Sequence, residues 1–281
     1  MNTDFPILDN HMHLDPKGLG IEGARKFEMA GGTHLILVHK PYHHVREWVW
    51  KEQFDVTLRM ADLVREETNL TVYTALSPHP AELTSMLRNK NKLSLEEARL
   101  RMIEGIDLAA EHISNGKALI FGEAGRPHFS VPEEVFKISN ELIAYTLERA
   151  KELDCAVQFH TESDEDSFRA IADIAKRVGF PRKRCVKHFS GPSVTEKENY
   201  GLFPSVVARK SSIRKAIEKG TRFFMETDYI DELSRPDVVL PPDTVPKQTL
   251  KFLAKGWFSE ENVHIIHNEN PEKIYGVNIE I

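Results

Sequence analysis

Two histidines one residue apart, His11 and His13, follow the apolar stretch Phe5-Pro6-Ile7-Leu8. In an extended chain, side chains at i and i+2 share a face, so both imidazoles point the same way from the end of a buried strand. Two imidazoles aimed at one point make half of a metal site; a pair of surface histidines at a strand end is the plain alternative. The rest of the chain decides between them. Glu123 follows Phe121-Gly122, His160 follows Gln158-Phe159, His188 follows Val186-Lys187, and Asp228 follows Met225-Glu226-Thr227. A polar residue ending one apolar segment is ordinary, but five segments each ending in a metal-type side chain are not. Imidazole and carboxylate suit zinc and related divalent ions. Six ligands exceed what one tetrahedral ion needs and fit two adjacent metals.

The elements that must position these residues alternate along the chain. Strand-like segments at 6–10, 33–38, 71–77, 118–122, 155–160, 185–189, 203–207 and 222–227 are separated by stretches with helical apolar spacing. Ser94-Leu95-Glu96-Glu97 is a capping box that opens one helix, with a stripe through Ala98, Met102, Ile106 and Ala109 and a stop at Asn115-Gly116. Pro132-Glu133-Glu134 opens another, placing Pro and acids in a first turn. A long helical stretch at 43–68 carries Trp48, Trp50 and Phe54, read as packing residues. Eight strand–helix repeats read as a single (β/α)8 TIM-barrel domain over residues 1–281. An open doubly wound sheet is the runner-up, and no Gly-x-Gly-x-x-Gly follows the first strand.

Barrel enzymes carry their reactive residues at the C-terminal ends of the strands. In a closed barrel the eighth strand neighbours the first, so His11, His13 and Asp228 hold one metal. His160 and His188, on neighbouring strands, hold the second, and Glu123 bridges both. A hydroxide between the metals is the expected nucleophile, and Asp228 is placed to accept its proton. Zinc is the first expectation, with manganese, nickel, iron or magnesium compatible. Among other polar residues, His79 between two prolines, Lys40, Arg126, Tyr229 and Arg235 are candidate substrate contacts, and Glu162 and Glu226 adjoin ligands. His34, His43, His44, His112, His264 and His267 show no site spacing and read as surface or helix residues.

Composition narrows the partners. The net charge of −6 provides no global field for nucleic acid, with one basic cluster at Lys176, Arg177, Arg182, Lys183, Arg184 and Lys187. Two cysteines, Cys155 and Cys185, fall in strand-like segments and make no disulfide framework, so a reduced, cytoplasmic protein is expected. The chain shows neither a leader pattern nor a membrane span. The Pro-rich stretch at 235–246 reads as a long loop at the barrel mouth, passive or part of the pocket wall. A homo-oligomer is compatible with the sequence.

These pieces, in order, resemble the TatD branch of the amidohydrolase superfamily. They are Asp9-x-His11-x-His13-Leu14-Asp15, Pro78-His79-Pro80, Gly122-Glu123-x-Gly125, His160-Thr161, His188-Phe189-Ser190-Gly191, Glu226-Thr227-Asp228 and Asn270-Pro271-x-x-Ile274-Tyr275-Gly276. The resemblance implies a binuclear metal-dependent hydrolase on a TIM-like barrel. It carries the family's ligands onto His11, His13, Glu123, His160, His188 and Asp228, and points to phosphoester cleavage at a small molecule or a nucleic-acid end. Hydrolysis of a lactone, carboxylic ester or amide is the alternative, and a non-catalytic metal-binding protein is the alternative of another class. Two departures fall at the rim. Gly125-Arg126-Pro127-His128 stands where the family has Gly-Leu-Asp, and Tyr229-Ile230-Asp231 follows Thr227-Asp228, where a small residue and Pro are usual.

Overall fold

The computed structural model describes residues 5–88, 93–235 and 238–280. Eight strands run in chain order as neighbours in one parallel sheet. They are β1 (Leu8–His13), β2 (His34–Val38), β3 (Thr71–Leu76), β4 (Ile120–Gly125), β5 (Val157–His160), β6 (Cys185–Lys187), β7 (Phe203–Val207) and β8 (Phe224–Glu226). The chain continues from β8 through Thr227 and Asp228 into a two-residue strand, β9 (Tyr229–Ile230), which pairs in parallel with β1. The line of the eighth strand thus meets the first. Asp228 N donates to His11 O at 3.0 Å, and the Asp9 carboxylate accepts from the Thr227 amide and hydroxyl at 3.1 and 2.7 Å. This is the (β/α)8 TIM-barrel arrangement, closed by a short extra strand. The first strand runs on through His13 rather than stopping at residue 10, so the histidines lie within it.

Leu8, Ile36, Val38, Ala75, Ile120, Val186, Phe203 and Phe224 form the inner core, joined by Ile274 and Tyr275 of the helix Asn270–Tyr275. A larger apolar layer between sheet and helices includes Phe54, Met102, Phe121, Leu147, Phe159 and Phe168, with both free cysteines. Ser94 caps the helix Leu95–Ser114 through a complete capping box with Glu97. Pro132 occupies the N-cap of Glu133–Glu152 rather than its first turn. The stretch at 43–68 is helical only over Trp50–Glu67. Trp50 is buried there and donates its indole N–H to Arg101 O at 2.6 Å, whereas Trp48 precedes the helix with φ 58°. The basic cluster disperses: Lys187 is fully buried and Arg184 is paired with Asp154. No helix among the described residues is long and apolar enough to cross a membrane.

Gly105 sits inside the helix Leu95–Ser114 at a close crossing. A Cβ there would lie 2.4 Å from Pro78 Cγ and 2.8 Å from the Trp50 ring. In an open helix Gly→Ala stabilises by about 1 kcal/mol. Here the sign reverses, because the methyl would push on the segment that carries His79 and overpacking costs ~1–3 kcal/mol. Urea unfolding of Gly105→Ala is expected to show a lowered midpoint.

Candidate metal centre

Two irregularities in the sheet place half of the site. In β1, Asp9 pairs with Leu35 and Met12 with Leu37, so Asn10 and His11 together oppose the single residue Ile36. In β4, Phe121 pairs with Val157 and Ala124 with Phe159, so Gly122 and Glu123 oppose Gln158. An inserted residue of this kind shifts the phase of the strand and re-aims the side chains beyond it. Leu8 and Ile120 pack in the inner core, and strict alternation from them would turn His11, His13 and Glu123 outward. The bulges return all three to the interior. His160 and His188 need no such device, since each follows in regular alternation from Gln158 and Val186.

Hydrogen bonds fix which ring nitrogens face one another. His11 Nδ1 lies 2.9 Å from Gln158 Oε1, whose own amide nitrogen donates to Asn10 O at 2.9 Å. His13 Nδ1 lies 2.9 Å from Val38 O. Both Nδ1 atoms therefore donate, and in the neutral rings both Nε2 atoms carry lone pairs. Those two Nε2 atoms are 3.2 Å apart. Each is 3.3 Å from Glu123 Oε1 and 3.8 Å from Asp228 Oδ1. The other oxygen of Glu123, Oε2, lies 2.6 Å from His160 Nδ1 and 3.2 Å from His188 Nε2, and those two nitrogens are 3.1 Å apart. His11, His13, Glu123 and Asp228 are almost fully buried. Burial opposes charge on Glu123, yet His188, His160, His79 and His11 around it hold its carboxyl well below the usual range. Around the neutral rings of His11 and His13, acceptor atoms converge, and a divalent cation fits that donor set.

Two further side chains lie near these atoms but are already committed. Glu226 is 3.7 Å from His188 Nδ1, and its oxygens accept from Phe189 N at 2.7 Å and from the Ser205 hydroxyl. His79 Nε2 is 3.7 Å from Glu123 Oε2. Its Nδ1 accepts from Ala81 N at 3.1 Å, and Glu82 reaches back to His79 N at 2.9 Å, so His79 acts as the N-cap of the helix Pro80–Arg88. Burial lowers its pKa to about 4. The neutral ring therefore carries its proton on Nε2 and offers a donor, not a lone pair, to the site.

A cavity of about 1110 Å³ opens above these atoms. His79, Lys40 and Arg235 line it, as do His43, His44, Trp48, His128, Phe189, Val238 and Val239. Lys40 is paired with Asp15 at 2.7 Å, and Arg235 with Glu232. The Pro-rich stretch thus contributes cavity wall; Pro236 and Asp237 lie outside the described residues. Arg126 and Tyr229 are placed elsewhere. Arg126 is buried, donates to Glu162, Asn140 and Ser167, and stacks on Phe136. Tyr229 packs among Leu14, Ala24 and Phe27 and donates to Asp231 at 3.0 Å. Two histidines without site spacing have structural roles inside the protein: His34 is buried in β2, and His267 is buried between Leu8 and Thr249.

Asp231 has no motif signal beyond its place in a departure from the family pattern. Its buried carboxylate accepts from the amides of Asp15, Leu19 and Gly20 at 3.0, 2.7 and 2.8 Å and from Tyr229. It latches the loop after β1, which carries Asp15, to the end of β9. Asp231→Ala leaves three amides without their acceptor and is expected to cost at least about 3 kcal/mol. Denaturant unfolding and protease cleavage within residues 15–20 check this.

A family model described as TatD related DNase matches residues 8–276. The chain is 39% identical over 281 residues to the uncharacterized protein MJ1127 of Methanocaldococcus jannaschii, covering 99% of this chain and 98% of that protein. Among solved structures, YJJV, a TatD homologue from Escherichia coli K12, superposes with a TM-score of 0.68 at 22% identity, covering 96% of this chain and 98% of the other. A phosphotriesterase homology protein from Escherichia coli, solved with phosphate in its active site, superposes with a TM-score of 0.62 at 13% identity, covering 98% and 99%. With its barrel, its ordered motifs and a match over nearly the whole length, the chain belongs to the TatD related DNase family of metal-dependent hydrolases.

Proposed function

We propose that the protein is a two-metal hydrolase that cleaves phosphoester bonds. The observation that carries this reading is the position of Glu123, one oxygen toward the His11 and His13 nitrogens and the other toward His160 and His188. His11, His13 and Asp228 would hold one ion, His160 and His188 the other, with Glu123 shared. Bound there, the ions supply Lewis acidity and an acidified water, and a pair of adjacent ions suits in-line displacement at phosphorus. The family description and the phosphate held by the phosphotriesterase homology protein point to the same bond class.

The chain's own groups divide the remaining work. Asp228 lines the cavity beside the His11 and His13 nitrogens, with Oδ1 3.8 Å from each Nε2. That position suits it to take a proton from the attacking water and return it to the leaving oxygen. His79 presents Nε2–H to the phosphoryl oxygens, held in that orientation by the helix end it caps. Lys40 and Arg235 are partly neutralised by Asp15 and Glu232, so they steer an anion less than their charges suggest. Asp15, Glu47, Glu82, Glu162, Asp231 and Glu232 also line the cavity, as does Lys17, so bound ions would supply much of the attraction for a phosphoester.

Glu123→Gln and Asp228→Ala are expected to lower hydrolysis of bis(p-nitrophenyl) phosphate and of single-stranded DNA ends by at least ~10³-fold while far-UV dichroism stays unchanged. Full activity in either variant contradicts the assignment. Turnover of a lactone or carboxylic ester alone by the metal-loaded protein contradicts the bond class. His79→Ala is expected to lower kcat by ~10²-fold with metal content intact, as loss of one preorganised donor does.

A further inference from the structure

The segment Gly125-Arg126-Pro127-His128 replaces the family's usual sequence after the glutamate, and Gly125, Arg126 and His128 each touch the end of β5 or the residues just beyond it. Gly125 has φ 137°, and a Cβ there would lie 2.1 Å from His160 O. Arg126 N donates to that same oxygen at 2.9 Å. The Arg126 guanidinium grips Glu162, two residues beyond His160, at 2.9 Å. The chain then turns so that His128 Nδ1 lies 2.7 Å from His160 Nε2, with the rings 4.9 Å apart and tilted by 57°.

His160 Nδ1 is the nitrogen that faces Glu123 and His188. To offer a lone pair there, the neutral ring must carry its proton on Nε2. Nε2–H then has an acceptor waiting in His128 Nδ1. We propose that His128 is a positioning residue for the second metal: it fixes the tautomer and rotation of His160 so that Nδ1, and not Nε2, becomes the ligand. Partners of this kind raise ligand basicity and hold the ring, and losing one typically costs ~10- to 100-fold in metal affinity. The inference rests on the two-metal reading, and it assigns the Gly-Arg-Pro-His departure to support of a ligand rather than to substrate contact.

Calorimetric titration of the metal-free full chain with Co²⁺, without substrate, tests it, followed by the visible spectrum of each loaded form. Wild type is expected to bind two Co²⁺ per chain. His128→Leu is expected to bind the first normally and the second ~10- to 100-fold more weakly. His128→Asn keeps an acceptor oxygen where Nδ1 stood, and its second affinity and spectrum are expected to stay near wild type. Tight binding of both ions by His128→Leu overturns the inference while leaving the two-metal reading intact. Equal losses in His128→Asn and His128→Leu also overturn it, because His128 would then be a ligand itself. Fewer than two Co²⁺ in wild type overturns the two-metal reading and the inference with it.

Discussion

Like-sign electron density forced together inside a barrel is the constraint on which this structure depends. Two imidazole lone pairs at 3.2 Å, with carboxylate oxygens of Glu123 and Asp228 beside them, repel one another unless a cation stands between. Much of the surrounding polar network exists to prevent those groups from turning away. Gln158 and the carbonyl of Val38 hold the far nitrogens of His11 and His13. Gln158 is held in turn by Asn10 O and Tyr275, Tyr275 donates to Asn10, and Asn10 donates to Ser205, which donates to Glu226. One continuous hydrogen-bonded layer thus links β1, β5, β7, β8 and the C-terminal helix directly beneath the site. A fully paired layer of that kind rigidifies its surroundings, and the same low dielectric makes each broken link expensive. The C-terminal motif at residues 270–276 belongs to this layer: Asn270 ties the helix to Thr221 and Phe223, and Tyr275 reaches the barrel interior.

How much of this was legible in the sequence depended on whether a local rule sufficed. The barrel followed from strand–helix alternation, and His160 and His188 from simple strand periodicity. His11, His13 and Glu123 could be named by residue type, but their inward direction comes from two one-residue bulges that shift the phase of β1 and β4. No period-two pattern contains that information. A guanidinium suits oxyanions, which makes Arg126 a substrate contact by residue type, yet the backbone of residues 125–126 lies against His160 O, and the arginine is spent on Glu162. Tyr229 likewise turned into the layer behind β1 because β9 pairs there. Asp231 and His128 carry no spacing signal at all; their roles arise from contacts 211 and 32 residues away in sequence.

In the two departures from the family pattern, Arg126 and Tyr229 are turned into the frame, while His128, Ile230 and Asp231 reach the cavity. One contacts His160 at the end of β5, and the other latches the loop after β1 to the closing strand. What lines the cavity comes largely from loops: residues 40–48, the helix end at His79, Phe189, and the stretch through Leu233, Arg235, Val238 and Val239. Trp48, Phe189 and Asp228 all line it with positive φ, a conformation that costs a non-glycine residue on the order of 1–2 kcal/mol and persists only where packing imposes it. The candidate metal-binding side chains thus sit at strand ends, whereas much of the cavity wall above them is loop.

The central claim is that Glu123 separates two cations. Anomalous diffraction from crystals of the metal-loaded protein, collected at the absorption edge of the bound metal, tests it most directly. The account predicts two peaks, one enclosed by His11, His13 and Asp228 and the other by His160 and His188, each with one oxygen of Glu123. A single peak, or a second peak away from His160 and His188, would contradict it.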